Sequence, residues 1–221
     1  LVGDAGHLAS ASDDRTLAIW RLPDMTVQWR SRGHDFLVNQ LQVQGDALWS
    51  SSSDGTLKRW HWPTLEAEET IDLRAITGRR LNLHAFQVDA TATHALVGTW
   101  NSTVVALDRV PGKEWTSLQF PVESSGGYHA LDLPGVGLQL VQGTAPARIY
   151  AYDPKLRTLY DLPDFGIDYY ALIDDGSGSG AYAVGSGAIA RYQLMRDPAG
   201  APRWAASMAM RSDLRVIGAA D

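Results

Sequence analysis

The chain contains no cysteine. Disulfides, thiolate-held zinc and a thiol nucleophile are therefore excluded. No apolar run approaches the ~18 residues of a membrane span. Positive charge is in deficit: 19 Lys and Arg face 25 Asp and Glu, a formal net charge of −6. That balance argues against a general nucleic-acid binder, which carries a basic surface. Helical periodicity is poor throughout. No two of His7, His34, His61, His84, His94 and His129 have the i, i+4 spacing of a helical metal site. What is abundant points elsewhere. The 221 residues include 21 glycines, 8 tryptophans and 8 tyrosines, which suits many turns and many strands. Hydrophobic residues make up 45%, enough for a folded core.

The dominant signal is an internal repeat. Residues 8–21 read LASASDDRTLAIWR and residues 48–61 read LWSSSSDGTLKRWH, at an ungapped offset of 40. Leu8, Ser10, Ser12, Asp14, Thr16, Leu17 and Trp20 match Leu48, Ser50, Ser52, Asp54, Thr56, Leu57 and Trp60. Weaker copies follow at 95–108, 140–153 and 180–193, with Leu107, Tyr152 and Tyr192 in the tryptophan place. Each copy joins two short β-rich runs through a polar turn, the grammar of half-buried strands in hairpins. Most prolines fall between the runs, where they remove no ladder donor.

Strands are predicted at about 38–43, 47–52, 56–61 and 67–72 in the second copy. The third gives 84–88, 95–99, 103–108 and 115–120. The fourth gives 128–133, 138–142, 148–153 and 157–162. The fifth gives 167–173, 181–185, 188–194 and 203–209. The first copy yields only three, near 8–12, 16–21 and 26–30, and a surplus strand remains at 213–219. Four-stranded units at this period predict an all-β chain, a β-propeller of about five four-stranded antiparallel blades. The blades fall at about 1–30, 33–72, 80–120, 127–162 and 166–209 of a single propeller domain. Two expectations follow for the chain ends. Either 213–219 completes the opening blade, or the chain, which starts at Leu1 without methionine, is part of a longer propeller; the second is favoured.

Gly33-His34, Val38-Asn39, SSSSDGTLKRW at 50–60 and SASDDRTLAIW at 10–20 together resemble the WD-repeat β-propeller family. The motif-level likeness spans 8–62. The tryptophan–aspartate pair is degraded, since Arg21 and His61 follow the two tryptophans, while Asp108 and Asp153 keep the acid where the tryptophan is lost. The later copies also resemble looser, quinoprotein-like propellers. The resemblance implies a hydrogen-bonded network of His34, Ser50 or Ser52, Asp54 and Trp60 inside one blade. Asp14 and Trp20, with Ser10 or Ser12, keep part of it in the blade before.

Nothing in the sequence assembles a catalytic, cofactor or metal set. Asp14 and Asp54 occupy equivalent turns, so they read as structural rather than as a carboxylate pair. The Asp174–Gly180 run lacks EF-hand spacing and a Walker lysine. The expectation is a non-catalytic scaffold for a protein or peptide partner, with no nucleic acid, no membrane and a cytoplasmic setting. The expected contact surface is Phe36, Arg79, Arg80, Trp100 and Tyr128. Arg74, Arg79 and Arg80 form a basic cluster that either meets an acidic partner or is simply solvated. Trp100 falls in a turn, either folded over a neighbour or exposed as an anchor. The alternative is a quinoprotein-like or glycan-active enzyme with Gln40, His84, His129, Asp132 and Asp168 converging on a central channel.

Overall fold

The structure, a computed structural model, describes residues 1–123, 128–131, 138–142, 148–162, 169–174, 180–185, 188–196, 198 and 202–211. It divides into two compact units, Leu1–Tyr128 and His129–Asp221.

The first unit begins with a sheet of β1 (Val2–Gly3), β2 (His7–Ala11), β3 (Leu17–Arg21) and β4 (Thr26–Ser31). A second sheet holds β5 (Val38–Gln44), β6 (Ala47–Ser52), β7 (Thr56–His61) and β8 (Ala67–Asp72). A short helix, α1 (Leu73–Thr77), leads to the third sheet of β9 (Leu83–Val88), β10 (His94–Thr99), β11 (Thr103–Asp108) and β12 (Thr116–Pro121). The next sheet comprises β13 (Tyr128–Leu131), β14 (Leu138–Gln142), β15 (Arg148–Asp153) and β16 (Thr158–Leu162). The last comprises β17 (Tyr169–Asp174), β18 (Gly180–Gly185), β19 (Ala188–Arg196) and β20 (Pro202–Arg211). Every sheet is an antiparallel meander, which is what short strands joined by tight polar turns produce.

Alternation on the strands decides which sheet each side chain meets. On β6, Leu48 packs with Ala9, Leu17 and Ile19 of the first sheet. Its neighbour Trp49 points the opposite way and joins Phe86, Val97 and Val105 of the third. The second sheet is thus covered on both faces, and β6 is buried along its whole length. The outer strand β4, by contrast, is exposed at nearly every residue. In the second unit, β14 pairs with β15 through Leu138↔Tyr152 and Leu140↔Tyr150, and those side chains are buried.

The repeat persists in backbone conformation. Arg15, Gly55 and Ser102 occupy equivalent turn positions and all have positive φ (75°, 94° and 51°). So do Met25, Leu65, Gly112 and Arg157 in the next turn of successive sheets. Turns that reverse a hairpin within so few residues need one residue in the left-handed region, whatever its side chain.

Two expectations need correction. The opening sheet does not start at its second strand. Val2 and Gly3 pair with Ala9 and Leu8, so the chain's own first residues supply the fourth strand. A two-residue strand gives no alternation to read, which is why the sequence pattern misses it. Residues 213–219 lie outside the described residues. The second correction is α1, which was not expected. Asp72 caps it, accepting from the Arg74 and Ala75 N–H groups, and Gly78 ends it in the left-handed conformation with φ 71°.

Candidate functional site

The second sheet contains a buried relay. Trp60 Nε1 donates to Ser50 Oγ at 2.8 Å. Ser50 Oγ lies 2.7 Å from His34 Nε2, and His34 Nδ1 lies 3.0 Å from Asp54 Oδ2 and 3.1 Å from Thr56 Oγ1. Donors and acceptors close in one direction: Trp60 to Ser50, Ser50 to the unprotonated Nε2, and Nδ1–H to the carboxylate. Asp54 also accepts from the Asp35 N–H (2.9 Å), the Thr56 N–H (2.9 Å) and the Thr56 hydroxyl (2.6 Å). Burial opposes ionisation of Asp54, but the bonds from His34, Thr56 and the Asp35 N–H outweigh it and hold the carboxyl well below its usual range. Ser50, not Ser52, is the bridging hydroxyl: both lie on one face of β6, but Leu48 stands opposite Trp60, so Ser50 is the nearer of the two along the strand. Ser52 accepts from the Asp54 N–H and shapes the turn instead.

Gly33 is demanded by the same tryptophan. A Cβ there would lie 2.8 Å from the Trp60 ring. Lys58 crosses above, donating to the Gly33 carbonyl at 2.7 Å with its ammonium 5.8 Å from the ring centroid.

The first sheet keeps half of the relay. Trp20 Nε1 donates to Ser10 Oγ at 2.8 Å, and Asp14 accepts from the Thr16 N–H and hydroxyl. No histidine stands between them, and Arg30 pairs with the exposed side of Asp14 at 3.1 Å. The third sheet loses the relay altogether. Leu81, Val97 and Leu107 take the places of His34, Ser50 and Trp60, and all are buried. Only the turn cap survives, with Asn101 Oδ1 accepting from the Asn82 N–H at 2.7 Å as Asp54 does from Asp35.

Antiparallel order brings the β2–β3, β6–β7 and β10–β11 turns and the β4–β5 and β8–β9 loops to one end of the three sheets. Backbone bonds stitch this end together: Val38 N–H to Ser12 O, Leu73 N–H to Gly55 O, and Trp100 N–H to Asn82 O. Phe36 (47% exposed) and Trp100 (45% exposed) stand on it. Arg79 and Arg80 are exposed in the loop between α1 and β9. The Arg15 guanidinium carbon lies 5.9 Å from the Phe36 ring centroid. Trp100 meets the His84 ring edge-on, with centroids 4.4 Å apart. It is thus partly packed and partly open.

Tyr128 does not share that exposure. It is 1% exposed and lies against Gly98, where a Cβ would come within 2.7 Å of its ring. It therefore presents no surface to a partner. It is the first residue of β13, where the strand predicted at 128–133 also begins.

Of the channel candidates, Gln40 spends its amide on β9. Its Nε2 donates to the Phe86 carbonyl (3.1 Å) and its Oε1 accepts from the Phe86 N–H (2.9 Å). Gln42 does the same to Val88, at 2.9 Å both ways. These side chains satisfy the edge of β9 that faces away from β10. His84 Nδ1 accepts from the Tyr128 N–H at 3.2 Å. Asp132, Asp168 and the His129 side chain lie outside the described residues, as does most of the Asp174–Gly180 run. Among the described residues, no group of three or more His, Asp or Glu is placed to hold a metal ion. No helix among them is long and apolar enough to cross a membrane.

Sequence reasoning missed a second set of contacts at the opposite end. Trp115 Nε1 and Arg109 both donate to Glu69 Oε1 (2.9 and 2.7 Å), and the Arg109 guanidinium stacks 4.3 Å from the Trp115 centroid. Trp62 Nε1 donates to Asp4 at 2.8 Å. That bond and those from the Gly6 and His7 N–H groups hold the Asp4 carboxyl below its usual value. Glu69 lies 40 and 46 residues from Arg109 and Trp115, and Asp4 lies 58 from Trp62, so no local pattern pairs them.

The fold has known counterparts. The β-propeller domain of Myceliophteria thermophila Cps50 (Swd1) superposes with a TM-score of 0.68 at 15% identity, over 94% of this chain and 69% of that one. A Bacteroides uniformis protein assigned as a 6-phosphogluconolactonase superposes with a TM-score of 0.70 at 15% identity, over 96% and 70%. The fold is therefore that of a β-propeller. No family model matches the sequence. A curated relative, nuclear distribution protein PAC1 of Zygosaccharomyces rouxii, is 30% identical over 74 residues. The match covers 26% of this chain and 17% of that protein, so the chain spans a small part of the relative's length. Together with the Swd1 likeness, this match supports a propeller of the WD-repeat kind.

Proposed function

We propose that this protein is a non-catalytic interaction scaffold that docks a protein or peptide on the turn end bearing Phe36, Arg79, Arg80 and Trp100. The observation that carries the reading is the pair of half-exposed aromatics standing on rigidly stitched turns. Large aromatics held on a rigid frame dock at low entropic cost, and aromatic and arginine side chains dominate interface energetics. Of the inner-strand groups that an enzyme could draw on, Gln40 is committed to the backbone of β9, as is its neighbour Gln42. The WD-repeat likeness points the same way, such propellers being scaffolds in general. The enzyme alternative draws on the lactonase neighbour, but at 15% identity that likeness concerns the fold alone.

The test is quantitative affinity capture with mass spectrometry, comparing the wild-type chain with Trp100→Ala and Arg80→Ala. Loss of a common set of proteins from both variants supports this surface. An undiminished set from both variants places the contact elsewhere and ends this reading.

A further inference from the structure

The arginines of the first unit fall into two populations. At the end opposite the proposed surface they are paired: Arg21 with Asp24 at 2.6 Å, Arg59 with Glu68 at 3.2 Å, and Arg109 with Glu69 at 2.7 Å. At the turn end, Arg15, Arg32, Arg74, Arg79 and Arg80 make no ion pair with any described carboxylate. Three of the six acids at this end of the first unit are engaged elsewhere. Asp54 is held in the relay, Asp14 is taken by Arg30, and Asp72 caps α1. Asp13, Asp35 and Glu123 are the other carboxylates at this end. On a chain of net charge −6, one end therefore carries a surplus of open guanidinium groups.

Position makes the surplus usable. The Leu73 N–H bonds to the Gly55 carbonyl, and the Asn82 N–H to Asn101, so both ends of the arginine-bearing loop are pinned beside the aromatic turns. Arg15 is held against Phe36. Guanidinium groups bind carboxylates through two parallel N–H···O bonds, and charge complementarity of this kind selects partners and speeds encounter.

We infer that the partner of this end is an acidic polypeptide segment, with Asp or Glu side chains flanking an apolar one. The carboxylates meet the arginines, and the apolar side chain meets Phe36 or Trp100. The inference rests on the docking reading above and adds the chemistry of the partner.

The test uses an array of short peptides graded from strongly acidic to strongly basic, each with and without a central leucine, probed with the intact chain. An oligonucleotide of matching negative charge is included. The expected result is binding that rises with acidity and with the leucine, and weakens with added salt. The double variant Arg79→Glu, Arg80→Glu is expected to weaken the acidic peptide by about tenfold or more, while Lys113→Glu at the opposite end leaves it unchanged. Circular dichroism shows whether each variant stays folded, and the milder Arg79→Gln, Arg80→Gln pair replaces the reversal if it does not. No preference for acidic peptides overturns this inference. If capture is still lost with Trp100→Ala in that case, the docking reading survives it. Tighter binding of the oligonucleotide than of any peptide also overturns it. Acidic-peptide binding weakened by Lys113→Glu but not by the arginine variants overturns both.

Discussion

The second and third sheets solve one packing problem with opposite chemistry. At three matched positions the second uses His34, Ser50 and Trp60, and the third uses Leu81, Val97 and Leu107. The exchange is concerted. A buried polar network is stable only when every member has its partner, so replacing one member strands the others, whereas replacing all of them removes the demand. Gly33 follows the same logic. It sits under the Trp60 ring, and where that ring becomes Leu107 the matched position accepts Arg80. The turn caps, Asp54 and Asn101, survive in both sheets because they serve the backbone, which does not change. The two sheets teach that this repeat conserves backbone needs first and side-chain networks only as complete sets.

The largest break in that comparison is His34→Ala. It leaves Ser50 and Asp54 short of a partner and opens a cavity, a loss of about 3 kcal/mol in urea unfolding followed by tryptophan fluorescence. The triple exchange His34→Leu, Ser50→Val, Trp60→Leu, which copies the third sheet, is expected to cost well under the sum of its single changes. Simple additivity would show that the network is not a unit. Gly33→Ala comes next, at about 1–3 kcal/mol, because its new methyl meets the indole. In a Trp60→Leu background most of that penalty should vanish, and a double-mutant cycle measures the coupling directly.

A smaller effect separates the two turn caps by pH. The folded carboxyl of Asp54 is depressed below its ordinary 3.8. Its stabilising contribution is therefore present above that value and lost as pH falls from it toward the folded value. Asp54→Asn, which makes the second turn resemble the third, should narrow its deficit against wild type as the medium is acidified through 3.8. A constant gap across that range would mean that the carboxylate charge is not what matters. The smallest stability change belongs to Trp100→Ala. The indole is half exposed and touches His84 edge-on, so the unfolding midpoint should move by less than about 1 kcal/mol in energy while partner capture falls. A large destabilisation would make Trp100 a packing residue of the third sheet instead.

Much of the architecture was written in local order. Alternating runs and polar turns marked the four strands of the second sheet to within a residue, because hairpins depend on neighbours in sequence. Asp54 and Trp60 were legible through their match to Asp14 and Trp20 in the repeat, and His34 only through the resemblance to WD-repeat propellers. Three things were not. The choice of Ser50 over Ser52 needed the register of β6 against β7, which sets Leu48 opposite Trp60 and so makes Ser50 the nearer of two hydroxyls on the same face. The burial of Tyr128 depended on Gly98, 30 residues earlier in the chain, leaving room for its ring. The division of arginines into paired and open sets arose from which acids the fold placed beside them, as Glu69 beside Arg109, and from which it engaged elsewhere, as Asp54. The sequence by itself determined most strands and the turns between them, whose causes are short-range backbone sterics and alternation. Only the tertiary structure decided which side chains are covered and which charges are answered, because those depend on contacts between residues that no local pattern links.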